Sequence, residues 1–424
     1  MKLARHYDNY DTYIKFQSQK TLNPEKRKKW LGEEWREKVE GFKKEFIKFG
    51  PIITENPDIK VLCIGARTGQ EVVALNELGV KNAVGIDIVP HEPHVIKGDM
   101  HNLDFDDNSF DIIYTNVIDH SIYPEKMIAE MERVVNLEGY IFVQCQVGID
   151  QDEYTEFIID NPVYDVIKLF QKSFCIISSP MERNFAGMNF EFIFQKSTQL
   201  SNLFNKYGSF ENIVVPEDYE KLWNDINLPI QNKKLDTNGI ISNKARKGIL
   251  DRLKKRGYYL TRIAECFGST RIAEVGTAEG WQYYNFCKYV SDECEDGSVS
   301  TCDPRDVRNT EYVKIYDSQD KFNYINGTSI DLSKETGSVD MFYIDGLHDE
   351  GTVIRDVSNL QSNQKDNGHS VWVFDDFDIR FGCISDIFTL AQHSRRFFIY
   401  EIGKTASGQP SHQLLLLAKF QVGE

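Results

Sequence analysis

One local pattern occurs twice in this chain, and it restricts the fold more than any other feature. In the first occurrence an apolar run at 61–64 feeds Gly65 and Gly69, an apolar-periodic stretch follows from Gln70, and a second apolar run at 83–86 ends in Asp87. In the second, a run at 270–275 feeds Gly276 and Gly280, and a run at 299–302 ends in Asp303. Strand, glycine turn, helix and strand at these lengths imply a parallel sheet with helices wound on both faces. Each occurrence continues in the same order. In the first, 94–97 leads to Gly98 and Asp99, and strand-like runs follow at 110–114 and 140–143. In the second, 322–325 leads to Asn326 and Gly327, with runs at 339–344 and 371–374. The chain is therefore expected to be α/β throughout, two tandem doubly wound sheets at 51–198 and 244–424. Residues 1–50 read as a helical segment on the apolar stripe Leu31, Trp35, Val39, Phe42, Phe46 and Phe49. Its tyrosines Tyr7, Tyr10 and Tyr13 either pack or form a lid over a substrate. Residues 199–243, with the polar run 231–238, read as a connector, and 244–267 as a basic helix opening the second copy.

The turns carry the first chemistry. A tight glycine turn lets a ligand approach the backbone where the next helix presents free N–H groups. An acid ending the second strand accepts hydrogen bonds from both hydroxyls of a ribose. Both copies hold this combination: Gly65 and Gly69 with Asp87, Gly276 and Gly280 with Asp303. Neither turn has the three-glycine GxGxxG spacing that a pyrophosphate requires, since they read GARTG and GTAEG. An adenosine-bearing ligand without a pyrophosphate fits better than a dinucleotide.

The second copy adds acids. The stretch 338–350, SVDMFYIDGLHDE, runs from a buried strand into Asp345 and His348, and 370–374 runs into Asp375 and Asp376. Carboxylates at the carboxyl ends of neighbouring strands lie where an open α/β sheet binds its ligands. Three acids and an imidazole there suit a hard divalent cation and a base. The plainer alternative is that Asp345 starts a turn and Asp375 and Asp376 cap a helix.

Both copies resemble class I S-adenosylmethionine-dependent methyltransferases. In the first, VLCIGARTG resembles the family's first motif, Asp87 its ribose position, Gly98-Asp99-Met100 its adenine-edge position, and residues 110–143 its fourth and fifth motifs. Cys63 stands where an acid is usual and Arg67 where a middle glycine is usual. His120 stands where family members bring a residue towards the substrate, either as a base or as a structural histidine. No carboxylate follows Tyr114 or Val143, so this half is expected to need no metal. The second copy, with AEVGTAEGW, YIDGLH and VFDDF, is similar to metal-dependent O-methyltransferases acting on sugars and catechols. That resemblance implies magnesium on Asp345, Asp375 and Asp376 and His348 as general base. It also implies that Glu274 and Gly276 lie against the methionine part of the cofactor, with Asp303 on the ribose. The implied activity is methylation of hydroxyls on a sugar or glycan. The alternative is a single active domain acting on a phenolic small molecule, with the first copy a binding module.

Composition trims the rest. A net charge of −16 disfavours nucleic acid as a partner. No apolar run is long enough to cross a bilayer, and the polar start, MKLARHYDNYDTY, is unlike a signal peptide. The 8 cysteines form no CxxC pair, as expected of reduced thiols in a cytoplasmic protein. A homo-oligomer remains open.

Overall fold

The aromatic N-terminal segment forms three successive helices rather than one: α1 (Tyr10–Leu22), α2 (Pro24–Leu31) and α3 (Trp35–Phe46). Asn23 separates the first two. Its side chain accepts from the N–H groups of Glu25 and Lys26, while Pro24 takes the first helical position, where no N–H is needed. A second break, where Gly32 ends α2 before α3 begins at Trp35, corrects the expected continuous stripe. Val39, Phe42, Phe46 and Phe49 are buried, whereas Leu31, on a different helix, is exposed. These coordinates are a computed structural model that describes residues 2–56, 58–148, 153–185, 187–232, 243–308, 315–366, 368–404 and 408–420. The chain divides into two units, Met1–Thr198 and Gln199–Glu424.

In the first unit the strands are β1 (Lys60–Ile64), β2 (Asn82–Asp87), β3 (Val95–Lys97), β4 (Phe110–Thr115), β5 (Val135–Cys145), β6 (Ser173–Phe185) and β7 (Met188–Lys196). They lie side by side as β3-β2-β1-β4-β5-β7-β6. The first five are parallel, and β7 runs antiparallel between β5 and β6. Helices α4 (Gln70–Glu77) and α5 (Pro124–Val134) make two of the crossovers. The core under α3 and α4 joins Val39, Phe42 and Phe46 to Val72 and Leu75 and to the strand residues Val61, Cys63, Ile112 and Tyr114. Burial of these side chains is the main force that fixes the helices on the sheet. A separate two-stranded pair, Lys2–Leu3 with Phe157–Ile158, ties down the N-terminus.

Helices α6 (Thr198–Tyr207) and α7 (Glu217–Asn232) occupy much of the stretch read as a connector, and 233–242 lie outside the described residues. The polar run 231–238 falls largely there. Helix α8 (Asn243–Cys266) then precedes the second sheet. Its strands are β8 (Arg271–Val275), β9 (Ser298–Asp303), β10 (Phe322–Asn326), β11 (Met341–Ile344), β12 (Ser370–Phe374), β13 (Phe397–Lys404) and β14 (Pro410–Ala418). Their order is β10-β9-β8-β11-β12-β14-β13, again five parallel strands closed by an antiparallel pair. The two sheets thus share one strand order, and the expected duplication holds strand for strand. Among the described residues no helix is long and apolar enough to cross a membrane.

Candidate active sites

Strand register builds the nucleotide side of each site. Ile64 pairs with Ile86 and Val275 with Cys302, so the acid after each second strand comes level with the glycine after each first. Gly65 and Gly276 have φ of 76° and 94°, and Gly69 and Gly280 have 91° and 86°. Positive φ is natural to glycine and strained for other residues. A Cβ on Gly276 would come 2.0 Å from the carbonyl oxygen of Asp345, and one on Gly65 would come 2.4 Å from Val117. The backbone there is held closer than a side chain permits, which leaves the turn open to a ligand.

The ribose-position acids are held identically. The amide of Arg67 donates to Oδ2 of Asp87 at 3.1 Å, and that of Val89 donates to Oδ1 at 2.9 Å. In the second unit Ala278 donates to Oδ2 of Asp303 at 3.1 Å and Arg305 to Oδ1 at 2.9 Å. Burial lifts the carboxyl of Asp87 above its ordinary value despite these bonds. Arg67 takes the left-handed conformation, φ 49°, as Ala278 does at 44°. Its guanidinium carbon lies 4.5 Å from the centre of the Trp30 ring, on α2. The bulky residue in the glycine turn is thereby drawn onto an aromatic face.

In the first unit a cavity runs past Gly65, Asp87, Gly98 and Asp99 to His120, with Tyr13 of α1 in its wall. Tyr10 closes on the adenine-edge acid: its hydroxyl stands 2.7 and 2.8 Å from the two oxygens of Asp99. Sequence reasoning named both groups and missed their meeting. His120 has both ring nitrogens engaged, Nδ1 at 2.9 Å from the carbonyl of Tyr154 and Nε2 at 3.0 Å from Nζ of Lys20. A second, polar cavity adjoins Gly65, Arg67 and His120 and is walled in part by Glu71 and Asp119. Burial pushes the Glu71 carboxyl up to about 7.

In the second unit Glu274 is buried beneath the glycine turn and accepts from Oγ1 of Thr301 at 2.7 Å. Burial pushes its carboxyl up to about 8, against the pull of the Thr301 hydrogen bond. It occupies the position that Cys63 holds in the first unit.

The acids gather at the ends of β11 and β12. Ile344 pairs with Phe374, which brings Asp345 level with Asp375, and Phe374 pairs with Leu414, which brings Gln413 alongside. The carboxylates do not act as one equivalent set. Asp345, His348 and Asp376 each offer a donor atom, and these atoms lie within 4.8 Å of one another. Nδ1 of His348 is 3.0 Å from Oδ2 of Asp376. Asp375 instead turns into the protein. Gln413 donates to its Oδ1 at 2.9 Å, Tyr343 donates to its Oδ2 at 3.2 Å, and Arg256 of α8 pairs closely with the same Oδ2. Arg256 also reaches Oδ2 of Asp345 at 3.4 Å. Of the expected magnesium trio, Asp345 and Asp376 therefore share a donor cluster with His348, while Asp375 is bound to protein groups. Burial, then the neighbouring Asp375 charge, raises Asp345 well above the carboxylate range and pushes Asp376 up to about 6. For Asp375 burial acts the same way, but the Arg256 guanidinium and Gln413 outweigh it and hold the carboxyl low. Arg256 was not singled out from sequence; the only signal was the basic character of its helix.

Fold and sites together define two α/β units, each with a glycine turn and an acid at the carboxyl ends of its strands, where such sheets bind their ligands. Two different family models, both described as a methyltransferase domain, match residues 62–143 and 273–377. Both halves are class I methyltransferase domains, and the chain is an S-adenosylmethionine-dependent methyltransferase that carries them in tandem. Among similar solved structures is an O-methyltransferase from Bacillus cereus in complex with SAH. It is 13% identical, the match covers 48% of this chain and 92% of that one, and the TM-score is 0.35. Another is phosphoethanolamine N-methyltransferase 1 from Haemonchus contortus, 12% identical over 96% of each chain, with a TM-score of 0.31. The curated proteins contain no match.

Proposed function

We propose that this enzyme transfers methyl groups from S-adenosylmethionine to hydroxyls of a sugar or glycan, with both halves catalytic and the second assisted by a divalent cation. The observation that carries the reading is the cluster of Asp345, His348 and Asp376 beside the turn at Gly276. Two carboxylate oxygens at this spacing, with an imidazole beside them, suit a divalent ion and a base. Asp345 and Asp376 would hold magnesium, with Asp375 the third expected ligand. When bound, such an ion supplies Lewis acidity that lowers the pKa of an adjacent hydroxyl. The protein's own part is proton transfer and alignment. With Nδ1 of His348 against Asp376, Nε2 is left to take the acceptor's proton. The acceptor oxygen forms its bond to the methyl carbon, the sulfur–methyl bond breaks, and S-adenosylhomocysteine leaves as a neutral thioether.

An open mouth with an aromatic ring beside the base supports a saccharide acceptor. The His348 side chain is 43% exposed, and the Phe381 ring lies 5.0 Å from it, a face on which a sugar ring can stack. The test is calorimetric titration with S-adenosylhomocysteine, followed by transfer of labelled methyl to methyl glycosides with and without chelator. Two binding sites, one lost in Asp87→Ala and the other in Asp303→Ala, are expected, with chelator-sensitive transfer to glycosides. Transfer unaffected by chelator would refute the cation, and transfer to catechols alone would refute the sugar.

A second reading, in which the first half only binds, is favoured by one observation. The Tyr10 hydroxyl already occupies Asp99. One calorimetric site, lost only with Asp303, would establish it.

A further inference from the structure

The acidic site of the second unit already contains a cation. Arg256 lies at the centre of it, its side chain only 14% exposed, with one guanidinium nitrogen on Asp375 and the other 3.4 Å from Asp345. The Tyr343 hydroxyl is 3.1 and 3.2 Å from the same two Oδ2 atoms, so both carboxylates are drawn to one point. Nε of Arg256 is buried without a hydrogen-bond partner, so the carboxylates hold the group from its far end alone. Arg252, one turn earlier on α8, has buried Nε and Nη1 without partners, adding positive potential on the same helix. A guanidinium on two buried carboxylates is a strong, charge-assisted contact, and it places positive charge against two of the three expected cation ligands.

We propose that Arg256 is a resident counter-ion that competes with the divalent cation: an ion gains Asp345 and Asp375 only as Arg256 releases them. The proposal rests on the cation-assisted reading of the second half. Arg256 is a positioning residue here. It keeps Asp345 and Asp375 together when no ion is bound, and it sets how tightly an ion is held. Without it, Asp345 and Asp375 lose the guanidinium they share, and a divalent ion that enters no longer has to displace it.

The test is titration of the full chain with Mn2+ followed by electron paramagnetic resonance, on the wild type, Arg256→Met, Arg256→Lys and Asp376→Asn. Arg256→Met is expected to bind Mn2+ roughly tenfold to a hundredfold more tightly, the scale of one released charge-assisted contact. Arg256→Lys, which keeps the charge but not the fork, should fall between, and Asp376→Asn should lose the site. A melting temperature lowered in Arg256→Met and restored by Mn2+ would be the matching stability signature. A merely structural role predicts the opposite sign, weaker binding in Arg256→Met, and that result overturns the proposal. Equal affinity in wild type and Arg256→Met also overturns it while leaving the cation reading intact. No Mn2+ bound by any variant overturns both. Should Arg256→Met fail to fold, Arg256→Gln, which retains a donor for Asp375, carries the same expectation.

Discussion

His348 and Asp376 form a dyad: Nδ1 of the imidazole lies 3.0 Å from Oδ2 of the carboxylate. The contact fixes which nitrogen faces outward, and so which can take a proton from an acceptor. His348→Gln is expected to lower kcat by about 10²- to 10⁴-fold, the usual range for a general base, with little change in S-adenosylhomocysteine affinity. Rate measurements paired with calorimetry separate the two. An equal loss in both would assign the histidine to binding.

Gly276→Ala should weaken both stability and cofactor binding. The new methyl would need φ of 94° and would collide with the Asp345 carbonyl at 2.0 Å. Gly268 also has positive φ, 64°, but open space around it, so Gly268→Ala isolates the conformational strain, about 1–2 kcal/mol. Thermal melts should show a larger drop for Gly276→Ala. Equal drops would mean that the backbone around Asp345 yields.

Glu274 makes stability depend on pH. Its carboxyl ordinarily titrates near 4.5 and burial raises it to about 8, so between those values the folded chain keeps a proton that the unfolded chain has lost. Stability contributed by this residue therefore falls as pH rises through that window and is level above it. Glu274→Gln, neutral throughout, should flatten the slope of the urea midpoint between about pH 5 and about pH 8. Parallel slopes in wild type and variant would place the pH dependence elsewhere.

Tyr10→Phe should change ligand binding in the first half alone. Removing the hydroxyl frees Oδ2 of Asp99 to accept from a ligand, while the His101 amide keeps its hold on Oδ1. A severalfold gain in S-adenosylhomocysteine affinity is expected at the site that Asp87→Ala abolishes, on the scale of one hydrogen bond. A loss of affinity would instead make Tyr10 part of the binding surface.

Much of the fold was legible because its signals are local. An apolar run, two glycines and a terminal acid lie close together in sequence, and strand register does the rest: Asp87 comes level with Gly65 because Ile64 pairs with Ile86. The site was legible only in part. That Asp345 and Asp375 lie side by side follows from two adjacent strand ends. Which way each carboxylate turns depends on groups far away in the chain, Arg256 and Gln413, and no spacing encodes those meetings. The closing of Tyr10 on Asp99 was hidden for the same reason. The helix break after Leu31 did carry a local signal, since Gly32 follows the last turn of α2, yet the apolar spacing from Leu31 to Trp35 runs straight through it.

The turn residues Arg67 and Ala278 differ as much as two side chains can, yet each gives the same amide to the same aspartate oxygen at the same distance. A contact made by the main chain is indifferent to what evolution writes on the side chain. The side chain at this turn is therefore spare, available for other contacts: Arg67 lies on the Trp30 ring, while Ala278 stands exposed.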